Sequence, residues 1–295
     1  MSTQETKEQK QEEFDFYPRD ISQVELKLLA KSSSLLPIWK WIQESGIPEE
    51  EWKDEVAVCF DMDGTLTNLG PPLLKKTVDE RLRGGSQSRV LFTNMNKHNI
   101  KWFVLSARAA TSGSMAGVGS SLLSLGLEFP EWSTKNPQNC YIGIQNGSHM
   151  FKPIEKKNIG SYEGKEYNAI LCNNAISLLQ SGEEYAFQKD LSLEYALRQY
   201  YSRFPRLVIF VDDNAKNVML VYNHFKEQIA NSNLSSERPV HIYSVLYDPQ
   251  RKESDHDEHK ALLDQELEAS KQSKEEILGG GKKKKNSKTL RKKIV

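Results

Sequence analysis

The chain has 295 residues, of which 38% are hydrophobic and 27% are charged, as in a globular protein with one large domain and appendages. Its 40 basic residues balance its 40 acidic residues, so no global electrostatic field favours nucleic acid or acidic surfaces. The three cysteines lack CxxC spacing, which argues against a disulfide framework or a cysteine zinc site. Without a hydrophobic signal segment or a run of roughly 18 apolar residues, the chain is predicted to be soluble and cytoplasmic.

The first 53 residues are predicted to be an appendage in two parts. Residues 1–18 are polar and unpatterned, which indicates disorder. Residues 19–53 are predicted to form a helical extension with two short helices broken at Pro37. This extension is expected to pack on the core domain.

Residues 54–248 carry the pattern of an α/β domain. Nearly continuous apolar runs predict strands buried on both faces, as in parallel sheets, at 56–60, 102–105, 169–172, 207–211 and 241–247. Helices are predicted between several of these strands, at 115–125, 191–201 and 215–230. The alternation predicts an α/β fold with a doubly wound, mainly parallel sheet.

Three further segments differ from this pattern. Residues 139–166 consist of short polar and aromatic pieces with glycine, which predict a β-hairpin insertion. Residues 249–278 are predicted to form a charged helix. Residues 279–295 are predicted to be a flexible, disordered basic tail, because a glycine triplet precedes eight basic residues and no acid. Solvated disorder, an anionic membrane surface and nucleic acid each explain this tail.

The main chemical signal directly follows the first apolar strand. Asp61 and Asp63 lie two residues apart and are followed by Gly64 and Thr65. Since ligands of open parallel sheets bind at the carboxyl ends of the strands, both carboxylates should face a crevice. One could attack a phosphorus atom there while the other transfers protons. The alternative is a strand that ends in a structural Asp/Gly turn.

Three more signals follow in chain order. Ser106 ends the next apolar strand, where a hydroxyl can hold a phosphoryl oxygen. Lys189 opens a helix, where its charge can offset a nucleophilic carboxylate and a bound phosphate. Asp212 and Asp213 follow a later strand, and adjacent acids at a strand end suit Mg²⁺. Taken singly, these residues also fit a common strand-end serine, a surface lysine and an Asx turn.

The combined order, DxDGT at 61–65, then Ser106, Lys189 and the Asp212–Asp213 pair, resembles the four motifs of haloacid dehalogenase (HAD) phosphatases. The LSAR and FVDDNAKNV segments together are most similar to the DUF2608 group, HAD-like proteins known largely from intracellular bacteria. The resemblance covers residues 54–248. It implies a HAD-type fold and Mg²⁺-dependent hydrolysis of a phosphomonoester, and it is compatible with secretion by a non-Sec route from a host-associated bacterium.

The resemblance also implies a role for each matching position. Asp61 would be the nucleophile that becomes an aspartyl phosphate, and Asp63 would protonate the leaving group and then activate water. The implied metal ligands are Asp61, the backbone carbonyl of Asp63, and Asp212, with Asp213 in support; the implied phosphate-binding residues are Ser106 and Lys189. Gly64, Thr65 and Arg108 are further predicted phosphate contacts, and a surface ion pair is the alternative for Arg108. Lys189 lacks the glycine that usually follows it, so Lys152 and Lys165 remain alternatives for the lysine role.

Related classes of protein fit less well. The similar dehalogenases carry no acid at the position of Asp63, and receiver domains carry their acidic pair first along the chain. An alternative from another class is a catalytically idle HAD domain that acts as a binding module, anchored by its basic tail. The combination of Asp61, Asp63, Ser106, Lys189 and Asp212 argues against it, since a binding module does not require these residues together.

The active site is predicted to be open. Only about 35 residues separate Thr65 from the strand that leads to Ser106, and Pro and Gly pairs interrupt them too often for a full helical cap. An uncapped site would accept a phosphate on a large partner as well as on a small molecule. A phosphotyrosine peptide is the expected example, because its ring lets the phosphate reach a deep site.

Overall fold

The structure is a computed structural model that describes residues 21–29, 34–67, 77–106, 121–122, 124–127, 141–145, 148–151, 157–162, 165–172, 175–180, 189–231 and 239–248. The predicted disordered N-terminus, the predicted charged helix at 249–278 and the predicted tail at 279–295 lie outside these residues. Most of the predicted helix at 115–125 also lies outside them, as do Arg108 and Lys152.

Ten strands and six α-helices are assigned within the described residues. The strands are β1 (Ile21–Leu28), β2 (Val56–Asp61), β3 (Lys101–Ser106), β4 (Tyr141–Gln145), β5 (Ser148–Phe151), β6 (Lys157–Tyr162), β7 (Lys165–Cys172), β8 (Ala175–Gln180), β9 (Leu207–Asp212) and β10 (Val240–Leu246). The helices are α1 (Pro37–Gln43), α2 (Trp52–Glu55, after a 3-10 turn at Glu49–Glu51), α3 (Val78–Arg81), α4 (Gly85–Lys97), α5 (Lys189–Tyr200) and α6 (Ala215–Asn231). No described helix is long and apolar enough to cross a membrane.

The main sheet has the strand order β1-β10-β9-β2-β3-β8-β7-β6. The five strands from β1 to β3 in this order are all parallel, and β8 pairs parallel with β3. Strands β7 and β6 continue the sheet in antiparallel pairing, while β4 and β5 form a separate hairpin. The prediction of an α/β fold with a mainly parallel sheet is therefore confirmed.

Helices cover both faces of the central strands. Successive side chains of a strand point to opposite faces, and every residue of β2 and β9 is buried. Val58 and Phe60 pack in one core cluster with residues of α1 and α4. Ala57 and Cys59 pack in a second cluster with residues of α5 and α6. This two-sided burial explains why these strands are continuous apolar runs in the sequence.

The prediction of two helices broken at Pro37 is wrong for the first of them. Residues Ile21–Leu28 form strand β1, which pairs parallel with β10 at the edge of the sheet. Val24, Leu26 and Leu28 alternate with polar residues, which is the period of a strand. Pro37 is the first residue of α1, a position that tolerates its missing N–H group. The sheet therefore begins before residue 54.

The segment after β3 also differs from its prediction. The apolar run at 169–172 belongs to β7, which is antiparallel to its neighbours rather than a parallel core strand. The hairpin of β4 and β5 lies within the predicted insertion at 139–166, and a second hairpin of β6 and β7 extends beyond it. Strand β8 was not predicted. Its pairing with β3 joins this segment to the main sheet.

Candidate active site

Three neighbouring strands bring the predicted site residues to one edge of the sheet. Strand β2 lies between β3 and β9, all three are parallel, and their carboxyl ends therefore meet at that edge. Asp61 pairs in register with Leu105, and Phe60 pairs with Val211. The sheet register thus sets Asp61, Ser106 and Asp212 at the ends of adjacent strands.

Lys189 binds directly to Asp61. Its ammonium group donates to Asp61 Oδ1 at 2.6 Å and to the carbonyl of Leu105, and lies 3.9 Å from Asp212 Oδ2. Lys189 is the first residue of α5 and is only 2% exposed. Burial lowers the pKa of Lys189, but Asp61 and Asp212 outweigh burial and raise this pKa above its usual value. The lysine therefore remains charged and holds the Asp61 carboxylate in place.

Three carboxylates lie together at this edge of the sheet. Asp61, Asp212 and Asp213 each offer an oxygen within 4.8 Å of the others. Burial raises the pKa of Asp212 to about 7 despite Lys189, and burial together with the charge of Asp61 raises the pKa of Asp213. Asp212 is oriented by the backbone N–H of Asn214 at 2.8 Å and the side-chain amide of Asn217 at 3.0 Å.

This donor set fits a divalent cation. The three groups are hard oxygen donors, which Mg²⁺ prefers, and burial, with a smaller effect of the charge of Asp61, raises the pKa of both Asp212 and Asp213. A bound cation would offset this charge. The predicted ligands Asp61, Asp212 and Asp213 are brought together by the structure.

Gly64 and Thr65 lie against Asp213. Gly64 has a φ of +94°, and a Cβ atom on it would lie 2.1 Å from Asp213 Oδ2. The Thr65 hydroxyl donates to Asp213 Oδ1 at 3.5 Å and is fully buried. Both residues were predicted to bind phosphate, whereas their described contacts support a carboxylate of the acidic cluster. The glycine is required because the backbone approaches Asp213 too closely for a side chain.

The remaining predicted residues are placed as follows. Asp63 is exposed on the turn after β2, and Ser106 is buried as the last residue of β3. Arg108 and Lys152, for which the sequence also offered a role, lie outside the described residues. Lys165 begins β7, three strands away from β2 in the sheet. Among these candidate lysines, Lys189 is the one that the structure describes in contact with Asp61.

Sequence reasoning missed Arg83. Its guanidinium is buried, and its Nη1 lies 3.9 Å from Asp213 Oδ2. The sequence did not indicate that Arg83 is buried, because an arginine before Gly84 and Gly85 is typical of a turn at the surface. Asn217 was part of the segment after β9 but was given no role. Its position three residues after Asn214, on the first turn of α6, was the available signal.

The fold and the site define an α/β protein with a buried lysine–aspartate ion pair and a cluster of three carboxylates at the carboxyl edge of a parallel sheet. Comparisons of this chain with family models, with curated proteins and with solved structures found no match.

Proposed function

We propose that this protein is a Mg²⁺-dependent phosphomonoester hydrolase with a HAD-type doubly wound fold, acting through an aspartyl-phosphate intermediate. The observation that carries the proposal is the 2.6 Å ion pair of Lys189 and Asp61 beside the carboxylates of Asp212 and Asp213. Such an arrangement holds one carboxylate in a fixed orientation beside a positive charge, which suits a nucleophile.

The first step transfers the phosphoryl group to the protein. With its Oδ1 held by Lys189, Asp61 attacks phosphorus through the other carboxylate oxygen, and the ester P–O bond breaks. The bonding electrons go to the leaving oxygen, which takes a proton from the carboxyl group of Asp63. The exposed position of Asp63 allows it to exchange protons with the leaving group and with water.

The second step regenerates the protein. Asp63, now a carboxylate, takes a proton from a water molecule as that water attacks phosphorus. The bond between phosphorus and the Asp61 oxygen breaks, which releases inorganic phosphate and the free Asp61 carboxylate. Lys189 stays within reach of Asp61 throughout and offsets charge on the phosphoryl oxygens, with Ser106 at the adjacent strand end. Mg²⁺, when held by Asp61, Asp212 and Asp213, supplies positive charge that stabilises the phosphoryl group.

The test is hydrolysis of an aryl phosphate by the full chain. Activity should require Mg²⁺, vanish with EDTA and return when Mg²⁺ is added back, with Ca²⁺ a poor substitute because it does not keep the tight octahedral geometry. Asp61→Asn should reduce turnover more than about 100-fold, roughly 3 kcal/mol, because an amide cannot attack phosphorus.

The matched control is Asp54→Asn, which changes an acid whose side chain is 61% exposed, outside the site. It should retain the wild-type rate. Turnover by Asp61→Asn above about one per cent of wild type would exclude Asp61 as the nucleophile. Absence of any metal-dependent hydrolysis by the wild type would instead favour the idle binding module.

A further inference from the structure

Arg83 is fixed beside the acidic cluster by its own backbone and by an aromatic ring. Its backbone N–H donates to the carbonyl of Leu66 at 2.9 Å, which ties Arg83 to the turn that follows Asp61. Its guanidinium lies 5.7 Å from the ring centroid of Tyr247, a fully buried residue. Arg83 itself is only 7% exposed. The side chain is therefore held within the protein rather than extended into solvent.

The guanidinium of Arg83 has unused hydrogen-bond donors. Its Nε and Nη1 are shielded from solvent and have no hydrogen-bond partner among the residues that the structure describes. The carboxylate of Asp213 lies 3.9 Å from Nη1, too far for a hydrogen bond. Buried N–H donors without partners destabilise a fold, so stability alone does not explain this arrangement. The arrangement is explained if a ligand accepts hydrogen bonds from the Nε and Nη1 of Arg83.

The side chains of Lys189 and Arg83 contact different carboxylates of the site. The ammonium of Lys189 is committed to Asp61 and to the Leu105 carbonyl, and it lies within 4 Å of Asp212. The guanidinium of Arg83 contacts the cluster at Asp213. In the proposed mechanism Lys189 offsets the charge of the phosphoryl group that Asp61 attacks. Arg83 is therefore placed for a different anionic group.

We propose that Arg83 binds a second oxyanion of the substrate, a carboxylate or a phosphate that is not transferred. This inference rests on the proposed function and narrows its substrate class to phosphate esters that carry another acidic group. Each unused N–H of the guanidinium can donate a charge-assisted hydrogen bond to an oxygen of a carboxylate or phosphate. No covalent step is involved, because the group is only held while Asp61 attacks the phosphate ester.

The test compares substrates that differ by one oxyanion. The values of kcat/KM are measured for phenyl phosphate, 3-carboxyphenyl phosphate and a phenylene bisphosphate, so that the two kinds of second oxyanion are tested separately. The wild type should prefer the substrates with a second oxyanion by about tenfold, the effect of a charge-assisted hydrogen-bond pair. Arg83→Gln should reduce this preference ratio to near one, and Arg83→Lys should reduce it to an intermediate value.

Arg81→Gln is the matched control. Arg81 lies two residues earlier in the chain and is exposed, so its loss should leave the preference ratio unchanged. Melting temperatures of all variants show which of them fold. If Arg83→Gln does not fold, the preference ratio measured for Arg83→Lys tests the inference instead. The inference is overturned if the wild type shows no preference, or if the Arg83 variants lose the same factor on every substrate, since Arg83 then acts only by holding Asp213.

A binding measurement separates this inference from the proposed function. Methylphosphonate and phosphonoacetate differ by one carboxylate and are not phosphate esters, so calorimetry with the wild-type protein and Mg²⁺ needs no turnover. Phosphonoacetate should bind about tenfold more tightly, and Arg83→Gln should remove the difference. Such binding without hydrolysis of any ester would support the oxyanion site while contradicting the hydrolase. Equal binding of both phosphonates by the wild type would overturn the oxyanion site alone.

Discussion

At the scale of single residues, the site depends on the lack of a side chain at Gly64. Gly64 lets the turn after β2 approach Asp213 so closely that a Cβ atom would overlap its carboxylate. Thr65 and Arg83 contact the same carboxylate. Asp213 is therefore positioned by three residues that belong to, or are tied to, the turn that follows Asp61. Any change that displaces this turn should also displace the acidic cluster.

Gly64→Ala is expected to weaken Mg²⁺ binding about tenfold or more, because the new methyl group forces Asp213 out of the cluster. It should also lower the free energy of unfolding, by about 1–2 kcal/mol for the positive φ and by about 1–3 kcal/mol for the overlap. Titration calorimetry with Mg²⁺ and urea unfolding measure the two effects.

Gly46→Ala provides the matched control for the Gly64 substitution. Gly46 also has a positive φ, +72°, but a Cβ atom on it would meet nothing within 4 Å. It should show only the cost of the backbone conformation and retain wild-type Mg²⁺ affinity. Equal Mg²⁺ affinities of the two variants would contradict the assignment of Asp213 to the metal site.

At the scale of elements, helix α5 positions Lys189, and helix α6 contacts α5 next to this residue. Lys189 begins α5, and the next residue, Asp190, has a carboxylate oxygen 3.4 Å from His224 Nδ1. Glu194, one turn further along α5, has an oxygen 3.0 Å from His224 Nε2. His224 lies on α6, so its imidazole joins the two helices next to the point where α5 enters the site. Gln228 also contacts the same ring at 3.1 Å.

The stability of the protein should depend on the charge of His224. Burial lowers the pKa of His224, but hydrogen bonds to Asp190 and Glu194 outweigh burial and raise it to about 9. The ordinary pKa of histidine in an unfolded chain is about 6.5. The stabilisation of the folded state by protonated His224 is therefore complete below pH 6.5 and is lost as the pH rises to about 9. Protonated His224 contributes up to about 3 kcal/mol to the free energy of unfolding.

Urea unfolding of the wild type and His224→Gln between pH 6 and pH 10 measures this contribution. The difference between the two proteins in free energy of unfolding should be largest at the acidic end and should shrink across the interval from about 6.5 to about 9. Glutamine can keep hydrogen bonds but does not titrate. A constant difference over the whole range would show that His224 contributes no pH-dependent stability.

The elements also show how far the sequence predicted this molecule. The buried strands β2, β3 and β9 were predicted correctly, because two-sided burial leaves an uninterrupted apolar run. Strand β1 was predicted as a helix, since its three alternating apolar residues are too few to exclude a helical period. The contact of Lys189 with Asp61 depends on where α5 begins relative to the sheet, and no local pattern encodes that distance. Arg83 could not be found for the same reason.

At the scale of the whole molecule, the segment between β2 and β3 is one place where a cap could be inserted. Leu91, Phe92 and Met95 of α4 are buried in the same core cluster as Phe60. Helix α4 is therefore part of the domain and does not supply a lid. Of the 35 residues between Thr65 and β3, 13 form α4, which packs on the core through its buried face. The rest of this segment is too short for a cap domain.

A phosphotyrosine peptide should be a better substrate than free sugar phosphates or nucleotides. An open site excludes water poorly around a small metabolite and gains affinity from contacts outside the pocket. A peptide that carries an acidic side chain beside the phosphotyrosine would also offer the second oxyanion expected for Arg83. The measurement is kcat/KM for such a peptide against a panel of metabolite phosphates. A clear preference for one small metabolite would show that the site closes around its substrate.

Deleting residues 279–295 should leave the hydrolysis of a small phosphate ester unchanged. The residues of the proposed mechanism come from β2, β3, α5 and β9 and from the turns after β2 and β9, and the deletion removes none of them. The deleted segment instead carries eight basic residues and no acid, so its removal changes the net charge from zero to negative. Any effect of the deletion should therefore be electrostatic.

This effect should appear in binding rather than in catalysis. The full chain should bind vesicles that contain anionic lipid, by about 1 kcal/mol for each basic residue near the surface, and the truncated chain should not. Because the Debye length falls from about 10 Å at 0.1 M salt to about 3 Å at 1 M, added salt should abolish the binding. A chain in which the eight basic residues are replaced by glutamine keeps the length of the tail and isolates the contribution of charge. Vesicle binding by that variant as strong as that of the full chain would contradict an electrostatic role, and binding of the wild type to nucleic acid in preference to vesicles would assign the tail to that polyanion.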